Sequence, residues 1–142
     1  MSGLEIGQVL SLRIRFNNAG LISASRHPYL IVAINQALNY VEIAQIDSLK
    51  GKEYKAAKRS NKVIYWDNPQ ETVIDKDSYI QLDNTFRIEN CSELLNYRRQ
   101  PDKLSSDKLS DVLHAYNTYH QKHEIDDMKN VYMDRTEILS LN

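Results

Sequence analysis

Six consecutive apolar residues, Tyr29-Leu30-Ile31-Val32-Ala33-Ile34, follow Pro28 and end at the turn-forming stretch Asn35 to Asn39. The run has no polar face and is too short for an ordinary helix, so it reads as a buried strand. A proline is tolerated where such a strand begins. Neighbouring segments have the same character. Between Gln8 and Phe16, Val9, Leu12, Ile14 and Phe16 alternate with Arg13 and Arg15, the pattern of a strand wet on one face. Asn17 to Arg26 reads as a loop of about ten residues, longer than a usual hairpin connection and of the kind that carries function. Tyr40 to Ile46 and Val63 to Trp66 read as strands, and Asn68-Pro69 begins a polar loop. Ser78 to Leu82 and Thr85 to Glu89 read as two extended stretches, with Phe86 and Ile88 facing inward. Many short strands with little helix between them predict an antiparallel barrel or sandwich.

The last third changes period. Ser105 or Ser106 can cap a helix with Asp107 near its positive end, and Leu109, Val112, Leu113, Tyr116 and His120 recur at helical spacing. A helix over 106–122 is expected, followed by a short helix or a docked tail over 124–142 around Val131, Tyr132, Ile138 and Leu139. The chain of 142 residues fits one domain, a barrel over about 5–90 and a helical part over about 104–142, which buries roughly 70% of its unfolded surface. With 42% hydrophobic and 26% charged residues, disorder is not expected.

The net charge of -1 conceals an asymmetry. Residues 1–62 hold 9 Lys/Arg and 4 Asp/Glu, a balance of +5, and residues 63–142 hold 9 and 15, a balance of -6. Six of the sixteen residues from Asp47 to Lys62 are basic and two are acidic, so this excursion suits a polyanion or simply a solvated loop. No apolar run approaches the ~20 residues that span a bilayer, and Met1 to Gly7 lacks the apolar core of a signal peptide, so a cytoplasmic protein is expected. The lone Cys91 agrees with a reducing compartment. His114, His120 and His123 lack zinc-site spacing, and neither a Gly-rich phosphate loop nor a nucleophile elbow is present, so no metal or cofactor is expected.

Taken in order, Ile6-Gly7-Gln8-Val9, Arg26-His27-Pro28 before Leu30-Ile31-Val32, Gln45-Ile46-Asp47-Ser48, and Asp77-Ser78-Tyr79-Ile80 ahead of a closing helix resemble the MazF/PemK toxins. Nearly the whole chain takes part. The position directly before the proline, Arg in that family, is His27 here with Arg26 one residue earlier, and the family's Thr position falls on Asp47 or Ser48. In the later strand the basic residue is displaced by one, in Asn84-Thr85-Phe86-Arg87. The resemblance implies an α+β, mainly β fold: a small SH3-like antiparallel barrel with a C-terminal amphipathic helix. It also implies a homodimer that cleaves single-stranded RNA without a metal until a cognate antitoxin blocks it.

Such cleavage needs a base for the 2′-hydroxyl proton, an acid for the leaving oxygen and a cation for the phosphorane. Imidazole ordinarily titrates near neutrality, so His27 is the candidate acid or base, and the planar guanidinium of Arg26 is the candidate phosphate holder. Asp47 or Ser48 would orient the hydroxyl or the imidazole. Lys50, Lys52, Lys55, Lys58 and Arg59 would grip flanking phosphates, with Tyr54 or Trp66 as a face for an unstacked base. The segments at 26–28 and at 47 are thus expected to meet at one polar, cation-lined hollow. The rival readings are a catalytically silent binding module for an antitoxin, another protein or nucleic acid, and a gyrase-poisoning toxin of the same fold. Tyr116 and Tyr119, with the apolar tail, are the expected dimer contact.

Overall fold

The structure, a computed structural model, describes residues 3–122 and 131–142. It is α+β and mainly β. The strands are β1 (Val9–Leu12), β2 (His27–Asn35), β3 (Tyr40–Ser48), β4 (Asn61–Ile64), β5 (Ser78–Glu89) and β6 (Tyr132–Met133). Among the described residues two helices follow, α1 (Ser106–Lys122) and α2 (Arg135–Leu141), and 3₁₀ turns cover Glu53–Ala57 and Ser92–Tyr97. The strands form one curled sheet in the order β1-β2-β3-β5-β4, antiparallel throughout that path, while β6 adds a short parallel pairing to β5.

The apolar run that opened the sequence is buried because both faces of the sheet are covered. Tyr29 and Ile31 of β2 point into one core with Leu10, Ile43, Phe86 and Ile88, closed over by Leu94, Met133 and Ile138. Leu30 and Val32 point the other way, with Ala44, Ile46 and Ile80, under Leu104 and Val112. A strand with one face in water would alternate, and this one has no such face. Each fully buried aliphatic side chain contributes about 1.5–3 kcal/mol to that arrangement.

The stretches 78–82 and 85–89 are one strand, with Phe86 and Ile88 buried as expected. Their apparent separation has a cause. Ala44 pairs with Thr85 but Ile46 pairs with Ile80, so β5 advances five residues while β3 advances two. The three extra residues are an odd number, which flips the side-chain phase. Ile80 and Leu82 therefore face α1, whereas Phe86 and Ile88 face the other core.

The first strand is shorter than the 8–16 reading. Regular pairing stops at Leu12, and Arg15 continues only as a bridge to Ile22 inside the following loop. The fourth strand is shifted to Asn61–Ile64, because the chain leaves the sheet at Trp66, whose N–H donates to Asp77 Oδ1 at 2.8 Å. The helix at 106–122 lies where its periodicity puts it, and 135–141 supplies the short terminal helix. The N-terminus of α2 is capped by Asp134, whose Oδ1 accepts the Glu137 N–H at 2.8 Å. His123 and the start of the 124–142 segment, to residue 130, lie outside the described residues.

Candidate functional site

A hollow opens where β3 leaves β2. The ladder between them ends at the Tyr29 and Gln45 pair, and beyond it Ile46, Asp47 and Ser48 follow β5 instead, opposite Ile80, Tyr79 and Ser78. Pro28 helps to end the ladder. Ile31 turns its N–H toward β1, donating to Gln8 O at 2.9 Å, so by strand alternation Pro28 turns toward β3 a nitrogen with no hydrogen to give. On the other edge β2 stays paired with β1, Pro28 opposite Ser11 and His27 opposite Leu12. The gap is a cavity of about 360 Å³ lined by Ser11, His27, Pro28, Ile46, Asp47, Ser48, Ile74, Asp75, Lys76, Ser78 and Arg99. That volume is at the small end of the range for ligand pockets. Pro28, Ile46 and Ile74 supply apolar surface, and the other residues supply hydroxyls, an imidazole and charges of both signs.

Asp47 is the most constrained polar group in the hollow. Its Oδ1 accepts the Ser48 N–H at 2.8 Å, and its Oδ2 accepts Lys52 Nζ at 2.8 Å and the Tyr79 hydroxyl at 3.0 Å. Burial pushes its pKa up, but the hydrogen bonds from Lys52, Tyr79 and Ser48, with the charge of Lys52, outweigh burial and hold it below the ordinary carboxylate value. Burial first, and then the bond to Asp47, push the Tyr79 hydroxyl up to about 12. Asp47 is thus an anion occupied by three donors, a poor base but a firm anchor for the end of β3. Half-buried His27 is the one imidazole in the lining.

Arg99 reaches the hollow through the main chain. Arg98 bridges Leu10 on the free edge of β1, and Arg99 N–H donates to Val9 O at 2.9 Å. Its guanidinium lies 3.9 Å from Asp75, an exposed pair of little energetic weight.

The chain matches no family model and no curated protein.

Of the four candidate catalytic residues, His27, Asp47 and Ser48 line the hollow together. Arg26 does not line it. Its guanidinium donates to Asn142 O at 2.9 Å and lies over the Tyr97 ring at 5.0 Å from the centroid. The basic excursion begins at the rim, where Lys52 is tied to Asp47. Lys55 sits over the Tyr79 ring at 6.0 Å, and Lys50, Tyr54, Lys58 and Arg59 are exposed. Trp66 is anchored by its indole N–H to Glu71 O at 3.0 Å.

Ser11, Asp75, Lys76 and Arg99 were not candidates from the sequence. They lack a local motif and are assembled by long-range pairing, though Lys76 could have been suspected from its place beside the Asp77-Ser78-Tyr79-Ile80 segment.

Other expectations find structural employment instead. His120 Nε2 is 2.8 Å from Leu82 O and its ring packs on Tyr116 at 4.4 Å, joining α1 to β5. Tyr116 and Tyr119 pack against the core beneath α1, so much of the proposed dimer face is used within the chain. Among the described residues, no three His, Cys, Asp or Glu side chains gather as a metal site, and no helix is long and apolar enough to cross a membrane.

Proposed function

We propose that the protein is a cytoplasmic endoribonuclease of the toxin type, a dimer on an SH3-like barrel, which cleaves single-stranded RNA without a metal and is held in check by a cognate antitoxin. The observation that carries this reading is the meeting of His27 with Ser48, Lys76 and Arg99 around one hollow. In the proposed step a neutral imidazole at His27 takes the proton of the 2′-hydroxyl. The freed oxygen bonds to the adjacent phosphorus, the bond to the 5′ oxygen breaks, and that oxygen leaves with the proton returned by the imidazolium. The products are a 2′,3′-cyclic phosphate and a 5′-hydroxyl. Ser48 hydrogen-bonds the reacting sugar, and the cations stabilise the crowded phosphorane.

Purified protein incubated with a mixed RNA pool in EDTA is expected to yield fragments with these ends, and His27→Ala to slow cleavage by about 10²–10⁴-fold. Cleavage unchanged in His27→Ala would end the assignment. A second reading is favoured by one observation, the engagement of Arg26 with Asn142 and Tyr97. With that guanidinium committed elsewhere, the same surface would bind an RNA or an antitoxin peptide and cut nothing. Tight RNA binding by partner-free protein that leaves the RNA intact would select it.

A further inference from the structure

We propose that the phosphate-holding cations of the hollow are Arg99 and Lys76, and that Asp75 is the carboxylate an arriving phosphate displaces from Arg99. The inference rests on the RNA-cleaving reading above and names which groups meet the substrate. It follows from what each nearby cation is already doing. Lys52 is held at 2.8 Å by Asp47, which is itself fixed by Tyr79. Arg26 gives a hydrogen bond to Asn142 O and lies on Tyr97, outside the lining. Both would have to break existing contacts before gripping an anion.

Arg99 and Lys76 are differently placed. The backbone of Arg99 is fixed to β1 by its N–H bond to Val9 O at 2.9 Å, while among the described residues its guanidinium makes a single ion pair, with Asp75 at 3.9 Å, beyond hydrogen-bonding distance. Both partners of that pair are substantially exposed, with side chains 37% and 66% accessible. Water screens such a pair, so its loss costs little. Lys76 forms no salt bridge among the described residues, and its carbonyl accepts the Ser78 hydroxyl at 2.9 Å, which fixes the backbone that carries it. Two cations on anchored backbones, one with its planar fork of donors tied only loosely to Asp75, line the same hollow as His27. A phosphodiester offers two acceptor oxygens that fit such a fork. Asp75 keeps the guanidinium in place until a ligand of higher charge density arrives.

The test uses a fluorescent oligoribonucleotide with 2′-O-methyl sugars, which can bind but cannot be cut, and follows binding by anisotropy between 50 and 200 mM salt. Arg99→Ala and Lys76→Ala are expected to weaken binding by about tenfold each and to reduce the log–log salt slope by about 0.7 per lost phosphate contact. Asp75→Asn is expected to tighten binding, since Arg99 then has no competing carboxylate. Circular dichroism melts matching the unsubstituted protein would show that each variant is folded. Equal binding by the unsubstituted protein and Arg99→Ala, with the loss appearing in Arg26→Ala instead, overturns this inference and leaves the nuclease reading standing. Failure of the unsubstituted protein to bind the oligonucleotide at all overturns both.

Discussion

Gly7 offers a sharp test of how the first strand is held against α1. Its φ of +98° lies where only glycine sits comfortably, its N–H donates to Ile31 O at 2.9 Å, and its carbonyl accepts Leu104 N–H at 2.9 Å. A Cβ there would meet Leu109 Cδ2 at 2.7 Å and Lys103 Cβ at 3.3 Å. Gly20 has nearly the same φ, +94°, but nothing within 4 Å of the added carbon. The two positions therefore separate backbone conformation from crowding. The left-handed conformation costs an alanine about 1–2 kcal/mol, offset by about 0.4–1 kcal/mol from the stiffer unfolded chain. Gly20→Ala should thus cost about 1 kcal/mol or less. At Gly7 the Leu109 side chain must also turn away from its packing under α1, adding about 1–3 kcal/mol, for a total of about 1–4 kcal/mol. Urea unfolding followed by circular dichroism gives both values, provided the slopes match. In a Leu109→Ala background the excess cost at Gly7 should disappear. An effect at Gly7 no larger than at Gly20, or an excess that survives in that background, would refute the account.

Tyr29 is fully buried against Phe86, its hydroxyl has no hydrogen-bond partner among the described residues, and burial pushes its pKa upward. Tyr29→Phe should therefore leave stability unchanged or raise it by about 1 kcal/mol, read as a higher urea midpoint, and a clear loss would reveal a bond to that oxygen. Asp47 has a folded-state pKa below its ordinary value of 3.8, so its contribution to stability is present above that value and is lost as the pH falls through the lower folded one. The unsubstituted protein should accordingly exceed Asp47→Asn in stability at neutral pH, and the gap should close in acid below pH 3.8. A gap independent of pH would mean that packing, and not the charge, is what the substitution removes.

Much of the sheet was legible because local rules agree with the global arrangement. The unbroken run at 29–34 announced a strand covered on both sides, and the spacing of Leu109, Val112, Leu113 and Tyr116 announced α1. The continuity of β5 was not legible, since the polar Asp83 and Asn84 sit where its faces exchange and interrupt any single period. Part of the site could be read in the same way. His27, Asp47 and Ser48 lie at ends of neighbouring strands, so a turn and a strand ending sufficed to bring them together. Arg99 lies in a stretch without pattern, and its position depends on a main-chain bond to Val9, ninety residues earlier in the chain. Arg26 is the opposite case, adjacent in sequence but outside the lining. Its place beside His27 suggested partnership, whereas adjacent residues on an extended chain point to opposite sides.

One strand carries an unusual share of these connections. β5 runs beside β3 along one edge, and along the other it takes β4 near its start and β6 near its end. It is therefore the common spine through which the wall of the hollow at Ser78 and Tyr79 is joined to the terminal segment at Tyr132 and Met133. Loosening its middle, where its side chains exchange between the two cores, would disturb β3, β4 and β6 together.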